Sequence, residues 1–125
     1  MIYLDTHVVV WLYAGLAEKF SPQARALINK NDLLISPIIG LELQYLYEID
    51  RIAVESSVII ADLERRIGLR VCDAPFDQVV TRAIALPWTR DPFDRLIVAQ
   101  AQVGESPLLT KDGTILARFP DAVWP

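Results

Sequence analysis

The sequence predicts one α/β domain spanning residues 1–125: a sandwich of helices around a central, mainly parallel sheet of about five strands. Three observations lead there. Short apolar runs alternate with helical patterns, as in parallel sheets built from strand–helix–strand units. The runs are apolar throughout rather than alternating, as strands covered on both faces require. Hydrophobic residues make up 53% of the chain, which is high for its size and fits a buried sheet, a subunit interface, or both.

The elements follow in order. "IYL" (2–4) is the first strand, followed by a helical pattern near 8–14 and another near 22–30. "LLI" (33–35) is the second strand. The helix after it, 37–50, has Ser36 to cap its start and Pro37 at the first position, where a missing N–H costs nothing. On a wheel of about 100° per residue, Ile38, Leu41, Tyr45, Leu46 and Ile49 form one apolar stripe, with Gln44 and Glu48 on the wet face. Glu42 falls inside the stripe, so the pattern expects a carboxylate on the buried side. A helix near 55–67 leads to the strand "LRVC" (69–72), then "DAPFD" opens a helix near 75–85. The helix 92–103 starts from "DPFD", with Asp91 at the N-cap, Pro92 at the first position and Asp94 at the third. "PLLT" (107–110), a helix near 112–118 and "AVW" (122–124) complete the chain.

Composition removes several function classes. No apolar run reaches the roughly 18 residues of a membrane span, and "MIYLD" starts as a strand rather than a signal peptide. A single cysteine, Cys72, excludes an internal disulfide and fits a reducing cytoplasm; it reads as a small buried hydrophobe. The net charge of −4 argues against a protein that coats nucleic acid, yet leaves room for an enzyme that grips phosphate through metal ions.

Ligands of parallel sheets bind beyond the carboxyl ends of the strands. Asp5 follows the first strand, Asp112 follows the fourth, Glu42 lies in the helix after the second, and Asp94 heads the helix before the fourth. Four unpaired carboxylates at one edge would repel one another and lose solvation. A divalent cation removes both penalties. Oxygen-only ligation suits Mg2+ or Mn2+, and no Cys/His cluster is present for zinc.

Each residue also has a plainer role. Asp5 can cap a helix or end a strand, Asp112 in "KDG" can serve a turn, and Glu42 can pair with Arg82 or Arg95. Asp91 reads mainly as the cap and Asp94 mainly as the ligand. "DAPFD" has nearly the same composition and only starts a helix, so "DPFD" alone is weak evidence. His7, the one histidine, stands near Asp5 as a conceivable general base. Thr6 and Thr110 flank the acids as supporting hydroxyls or ordinary caps. Trp11, Trp88 and Trp124 read as core or interface rather than a base-stacking platform.

"YLDTHVVVWL", "SPIIGLELQYL", "RDPFDRLIVAQAQ" and "LLTKDGTI" resemble, in order and from end to end, the successive motifs of the PIN-domain family, specifically the VapC-type toxins of toxin–antitoxin pairs. The resemblance implies a PIN-like fold and an Mg2+- or Mn2+-dependent endoribonuclease that cuts tRNA or rRNA and halts translation. It also implies a homodimer silenced by a VapB-type antitoxin. The family's acidic site maps onto Asp5, Glu42, Asp94 and Asp112, supported by Thr6 and Thr110, with Asp91 as an addition. One departure is "LPWTRDPFD": Thr89 and Arg90 stand where many relatives carry a histidine. No Ser–His–Asp or Cys–His set offers a protein nucleophile, which agrees with hydrolysis by metal-activated water. Arg90, Arg95 and Lys111 are candidates for holding the RNA backbone. Trp11, Leu12, Tyr13 and Tyr47 are candidates for the antitoxin's apolar contact. Two rivals stand beside this reading: a catalytically idle PIN fold that only binds partners, and a receiver-like phosphoacceptor domain using Asp5, Asp73 and Lys111.

Overall fold

The computed structural model describes residues 1–125 and contains five strands, all in one parallel sheet. They are β1 (Ile2–Leu4), β2 (Leu33–Ile35), β3 (Arg70–Val71), β4 (Leu108–Leu109) and β5 (Ala122–Val123). Seven α-helices connect or flank them: α1 (Thr6–Ala14), α2 (Pro22–Lys30), α3 (Ile38–Glu48), α4 (Ser56–Ile67), α5 (Phe76–Ile84), α6 (Pro92–Val103) and α7 (Gly113–Arg118). The fold class is as expected. A short 3-10 turn at Ala17–Lys19 is an addition that no apolar period announces.

The strand order is β3-β2-β1-β4-β5. The chain lays strands outward from β1 on one side, then crosses and builds outward on the other. The order therefore reverses between β1 and β4, which pair directly through Tyr3↔Leu108 and Leu4↔Leu109. That reversal opens a crevice beyond the carboxyl ends of these two strands. Asp5 ends one of them, and Thr110 to Asp112 follow the other.

The central strands are buried along their length, and Leu4, Ile35, Leu108 and Leu109 have no exposed surface. The edge strands depart from the apolar-throughout expectation. Both residues of β3 are exposed and both of β5 are half-buried, because an edge strand has a neighbour on one side only. The core closes from the helices through Val8, Val9, Ile39, Leu43, Ile59, Leu63, Val98 and Ile115.

Helix α3 corrects one expectation. Its core contacts are Ile39 and Leu43, not the Ile38–Leu41–Tyr45–Leu46–Ile49 stripe. Leu41 is 60% exposed, Tyr45 48% and Ile49 42%. The helix is apolar on most of its circumference, so the wheel alone picked the wrong apolar face. Glu42, about 60° from Ile39 on the wheel, is half-buried at the border of the true core face. The capping expectation holds: Pro37 already has helical torsions, and Ser36 Oγ accepts from the Ile38 N–H at 3.3 Å. At the other end Asp50 takes a left-handed conformation (φ 62°). Its N–H donates to the Tyr47 carbonyl and that of Arg51 to the Leu46 carbonyl, the two bonds of a Schellman stop. The helix therefore ends at Glu48, short of the expected residue 50.

Candidate active site

Each acid owes its place to local chain chemistry. Asp5 leaves β1 with extended torsions and caps α1, its Oδ1 accepting from the Thr6 N–H at 2.7 Å. This cap starts α1 at Thr6, two residues ahead of the apolar pattern. The other oxygen of Asp5 accepts from the Thr110 hydroxyl at 2.6 Å. Asp112 caps α7, its Oδ1 accepting from the Thr114 and Ile115 N–H groups at 2.9 and 3.0 Å. The Thr110 hydroxyl also accepts from the Asp112 N–H at 3.0 Å. One fully buried threonine thus ties the two acids together across the β1–β4 reversal. Asp91 caps α6, its Oδ1 accepting from the Phe93 and Asp94 N–H groups at 2.8 and 3.3 Å. Asp91 is the cap expected for "DPFD", and Asp94, expected as the ligand, lines the same cleft as the other acids.

Glu42 meets these residues from α3, and the Thr6 hydroxyl donates to its Oε1. It pairs with neither Arg82 nor Arg95. A cleft of about 410 Å³ results, lined by the five carboxylates Asp5, Glu42, Asp91, Asp94 and Asp112 together with Thr6, His7, Trp11 and Arg51. The N-termini of α1, α6 and α7 all open toward it through their capping acids, and the positive helix ends favour negative charge there.

The helix ends do not cancel the crowding. Burial, and then the charges of Asp91, Asp5, Asp112 and Glu42, push the Asp94 carboxyl up to about 7. Burial raises Glu42 as well, against the hydroxyl bond from Thr6 and with the charges of Asp5 and Asp91. No arginine or lysine forms an ion pair with any of the five; the nearest basic group to them is the His7 ring, its Nδ1 3.7 Å from Asp5.

The donor set fits a hard divalent cation, since every acid presents oxygen and no arginine or lysine ion pair offsets the like-charge repulsion. No three of these side chains close into a ready-made cage. Zinc would need a tighter nitrogen or sulfur set.

His7 does something other than wait as a base. Its Nε2 accepts from the Lys111 backbone N–H at 2.8 Å, which places the ring proton on Nδ1, facing Asp5. Burial lowers its proton affinity despite the nearby charges of Asp5 and Asp112, so the ring is held neutral. It pins the turn that carries Asp112. The ring also lies 4.9 Å from Trp11, which packs with Phe20 and Trp124 in an aromatic cluster. Trp11 and Trp124 thus stand in the packing role expected of them. Cys72 is half-buried and contacts the Tyr3 hydroxyl and the Gln100 amide, each at 3.2 Å.

Of the basic residues singled out in sequence, none lines the cleft. Arg95 donates to the Ala83 and Ile84 carbonyls and so ends α5. Arg90 donates to the Pro87 carbonyl. Lys111 sits exposed on the turn beside the cleft. The cationic side chain that does line it is Arg51, which no motif marks, because the turn after α3 is set by an unusual left-handed Asp50. Asp73 follows the edge strand β3, with β2 between it and β1, so the three-residue arrangement of a receiver domain is not assembled.

The fold is a parallel α/β sandwich with four acids gathered at the reversal of its sheet, and a family model describes it: the PIN domain, matching residues 2–121. The chain belongs to the PIN-domain family. Within that family it is similar to Ribonuclease VapC22 of Mycobacterium tuberculosis (strain ATCC 25618 / H37Rv), 30% identical over 133 aligned residues that cover 98% of each chain. Two solved structures share the fold. VapBC2 from Rickettsia felis, bound to a DNA fragment from its promoter, superposes with a TM-score of 0.68 at 20% identity, covering all of both chains. A toxin–antitoxin complex from Klebsiella pneumoniae gives 0.65 at 18% identity, covering 98% of this chain and 96% of that one.

Proposed function

We propose that this protein is an Mg2+- or Mn2+-dependent endoribonuclease and the toxin of a toxin–antitoxin pair, acting on structured RNA of the tRNA or rRNA class and so halting translation. The observation that carries the chemistry is the set Asp5, Glu42, Asp94 and Asp112 gathered at the β1–β4 reversal, none of them ion-paired with an arginine or lysine. The relationship to a VapC ribonuclease along the whole chain supports RNA as the substrate. These four residues would hold the ion. When bound, it would supply an acidified water and offset charge on the phosphate. The protein's own part is positioning. Thr110 and the α1 N-terminus fix Asp5, Thr6 fixes Glu42, Asp91 fixes the start of α6, and His7 fixes the Asp112 turn. Asp94, its carboxyl raised to about 7 by burial and its acidic neighbours, is the one of the four that can hold or release a proton near neutral pH.

The antitoxin's place is an apolar groove of about 250 Å³ between α1, the 3-10 turn and α2, with Trp11, Leu12, Leu16 and Phe20 among its walls. Trp11 lines both this groove and the acidic cleft, so a VapB-type partner seated there reaches the active site. The exposed Leu41, Tyr45 and Ile49 of α3 are the surface offered for a homodimer.

The test is cleavage of total RNA by purified protein. Chelation should abolish it, and Mg2+ or Mn2+ should restore it, because carboxylates alone do not activate water at neutral pH. Cleavage that persists in excess chelator would sink the proposal.

A further inference from the structure

We infer that Arg51 is a substrate-binding residue of this site, holding an RNA phosphate at the rim of the acidic cleft. The inference rests on the ribonuclease reading above and names the phosphate contact that the reading leaves open.

The cleft is lined by five carboxylates and one permanently cationic side chain, Arg51. An arginine beside so many acids would ordinarily form a bidentate ion pair with one of them. Arg51 does not. Its guanidinium makes no ion pair, and no hydrogen bond to it is formed within the protein. Its side chain is exposed. A structural arginine in this fold looks different: Arg95 is half-buried and spends its donors on two carbonyls. Arg51 keeps its donors for something outside the chain.

Its backbone, by contrast, is fixed. The Arg51 N–H donates to the Leu46 carbonyl at 2.8 Å, and the left-handed Asp50 before it turns the chain back toward the cleft. Few non-glycine residues adopt that conformation, aspartate among those that tolerate it best, and the turn sets where the arginine's backbone stands. Leu46 and Ile52 line the same cleft as Arg51 and the acids. A rigid root and a free head make a side chain that reaches for a ligand.

The ligand must be anionic and must approach the carboxylates. A bare anion would be repelled by five negative groups. A phosphodiester whose neighbour is bound through a divalent ion is not, because the ion offsets the acids. Arginine's planar fork matches the two free oxygens of a phosphate. The contact carries no base information, so it positions the strand and does not select sequence.

The experiment compares native protein with Arg51→Gln and Arg51→Lys. The probe is an end-labelled, mixed-sequence single-stranded RNA, followed by fluorescence anisotropy with Ca2+ in place of Mg2+, across a salt series. Arg51→Gln should weaken binding about tenfold at low salt, as for a lost charged hydrogen bond. It should flatten the slope of log affinity against log salt by about 0.7, the value for one phosphate contact on a single strand. Arg51→Lys should keep the slope, because it keeps the charge. The melting temperature and its rise on adding Mg2+ should match the native protein. Native affinity and slope in Arg51→Gln would overturn the inference, as would a lower melting temperature or a lost Mg2+ response, which would make Arg51 structural. If the native protein neither binds nor cuts RNA while Mg2+ still raises its melting temperature, the ribonuclease reading falls and takes this inference with it. That pattern is distinct from a failure of the glutamine variant alone.

Discussion

Residues 73–77 and 91–94 spell nearly the same word, "DAPFD" and "DPFD", and each opens a helix. In the second, Pro92 follows Asp91 directly. Asp91 therefore lands on the N-cap, takes two backbone N–H groups, and leaves Asp94 one turn on, aimed into the cleft. In the first, Ala74 is inserted. Pro75 takes the cap position, no side chain caps α5, and Asp73, Phe76 and Asp77 are all exposed. Location completes the difference. α5 follows the edge strand β3, whereas α6 leads toward β4 at the reversal of strand order. Composition made the two words alike; one residue of register and the place on the sheet made one of them a site.

The largest effect that tests this contrast is on cleavage. Asp94→Asn should abolish it, a loss of roughly a hundredfold or more, as for groups that take part directly in proton or charge handling. Asp77→Asn, the matching residue of the other word, should cut RNA at the native rate. If Asp91→Asn is dead and Asp94→Asn is active, the assignment of cap and ligand is reversed.

The next effect is on pH and stability without metal. Asp94 sits at about 7 in the folded protein, well above its ordinary value near 3.8. Between those values the folded state holds a proton that the unfolded chain has lost. Its contribution to stability is therefore present at acid pH and fades as pH rises toward 7. His7 runs in the opposite sense, since its lowered proton affinity penalises the fold on acidification. The subtraction of Asp94→Asn from native protein isolates the aspartate. The gap in melting temperature between Asp94→Asn and native protein, in chelator, should widen in favour of the variant from pH 5 to pH 8. Saturating Mg2+ should shrink that gap, because the ion replaces the proton and stabilises the folded native site. A gap that does not change with pH would mean the repulsion at Asp94 is absent.

How much of this the sequence carries depends on whether an effect is local. Helices α2 and α6 begin and end where the sequence placed them, because Pro22 and Pro92 mark their starts. The gathering of Asp5, Glu42, Asp94 and Asp112 was legible from parallel topology and from the ordered motifs. What escaped depends on packing between elements. The wheel could not tell which apolar face of α3 meets the core, since Leu41 and Leu43 look alike until α4 and α6 choose one. The stripe puts Glu42 on the buried side for a partly wrong reason, since the core face is Ile39 and Leu43 and Glu42 only borders it. Arg51 and the true tasks of Arg90 and Arg95 were hidden in the same way. Each basic side chain was judged by its distance along the chain from an acid, but Arg95 lies next to Asp94 in sequence and turns to the end of α5 instead.

The smallest effect probes the caps themselves. Asp91 does two opposed things: it closes the start of α6, and it adds a charge beside Asp94 and Glu42. Two substitutions separate them. Asp91→Asn keeps a good cap and removes the charge, so in chelator it should match or slightly exceed native stability. Asp91→Ala removes both. The difference between the two variants is the cap alone, about 1 kcal/mol in favour of asparagine. At Asp73 the same pair should show nothing of the kind, because no helix N–H bonds to its side chain. Asp73→Asn and Asp73→Ala should agree with each other and with native protein to within about 0.5 kcal/mol in urea melts. If the Asn–Ala difference at 73 equals that at 91, then "DAPFD" caps its helix after all. The register argument would then fail, leaving the position of α6 at the strand reversal as the only thing that separates the two words.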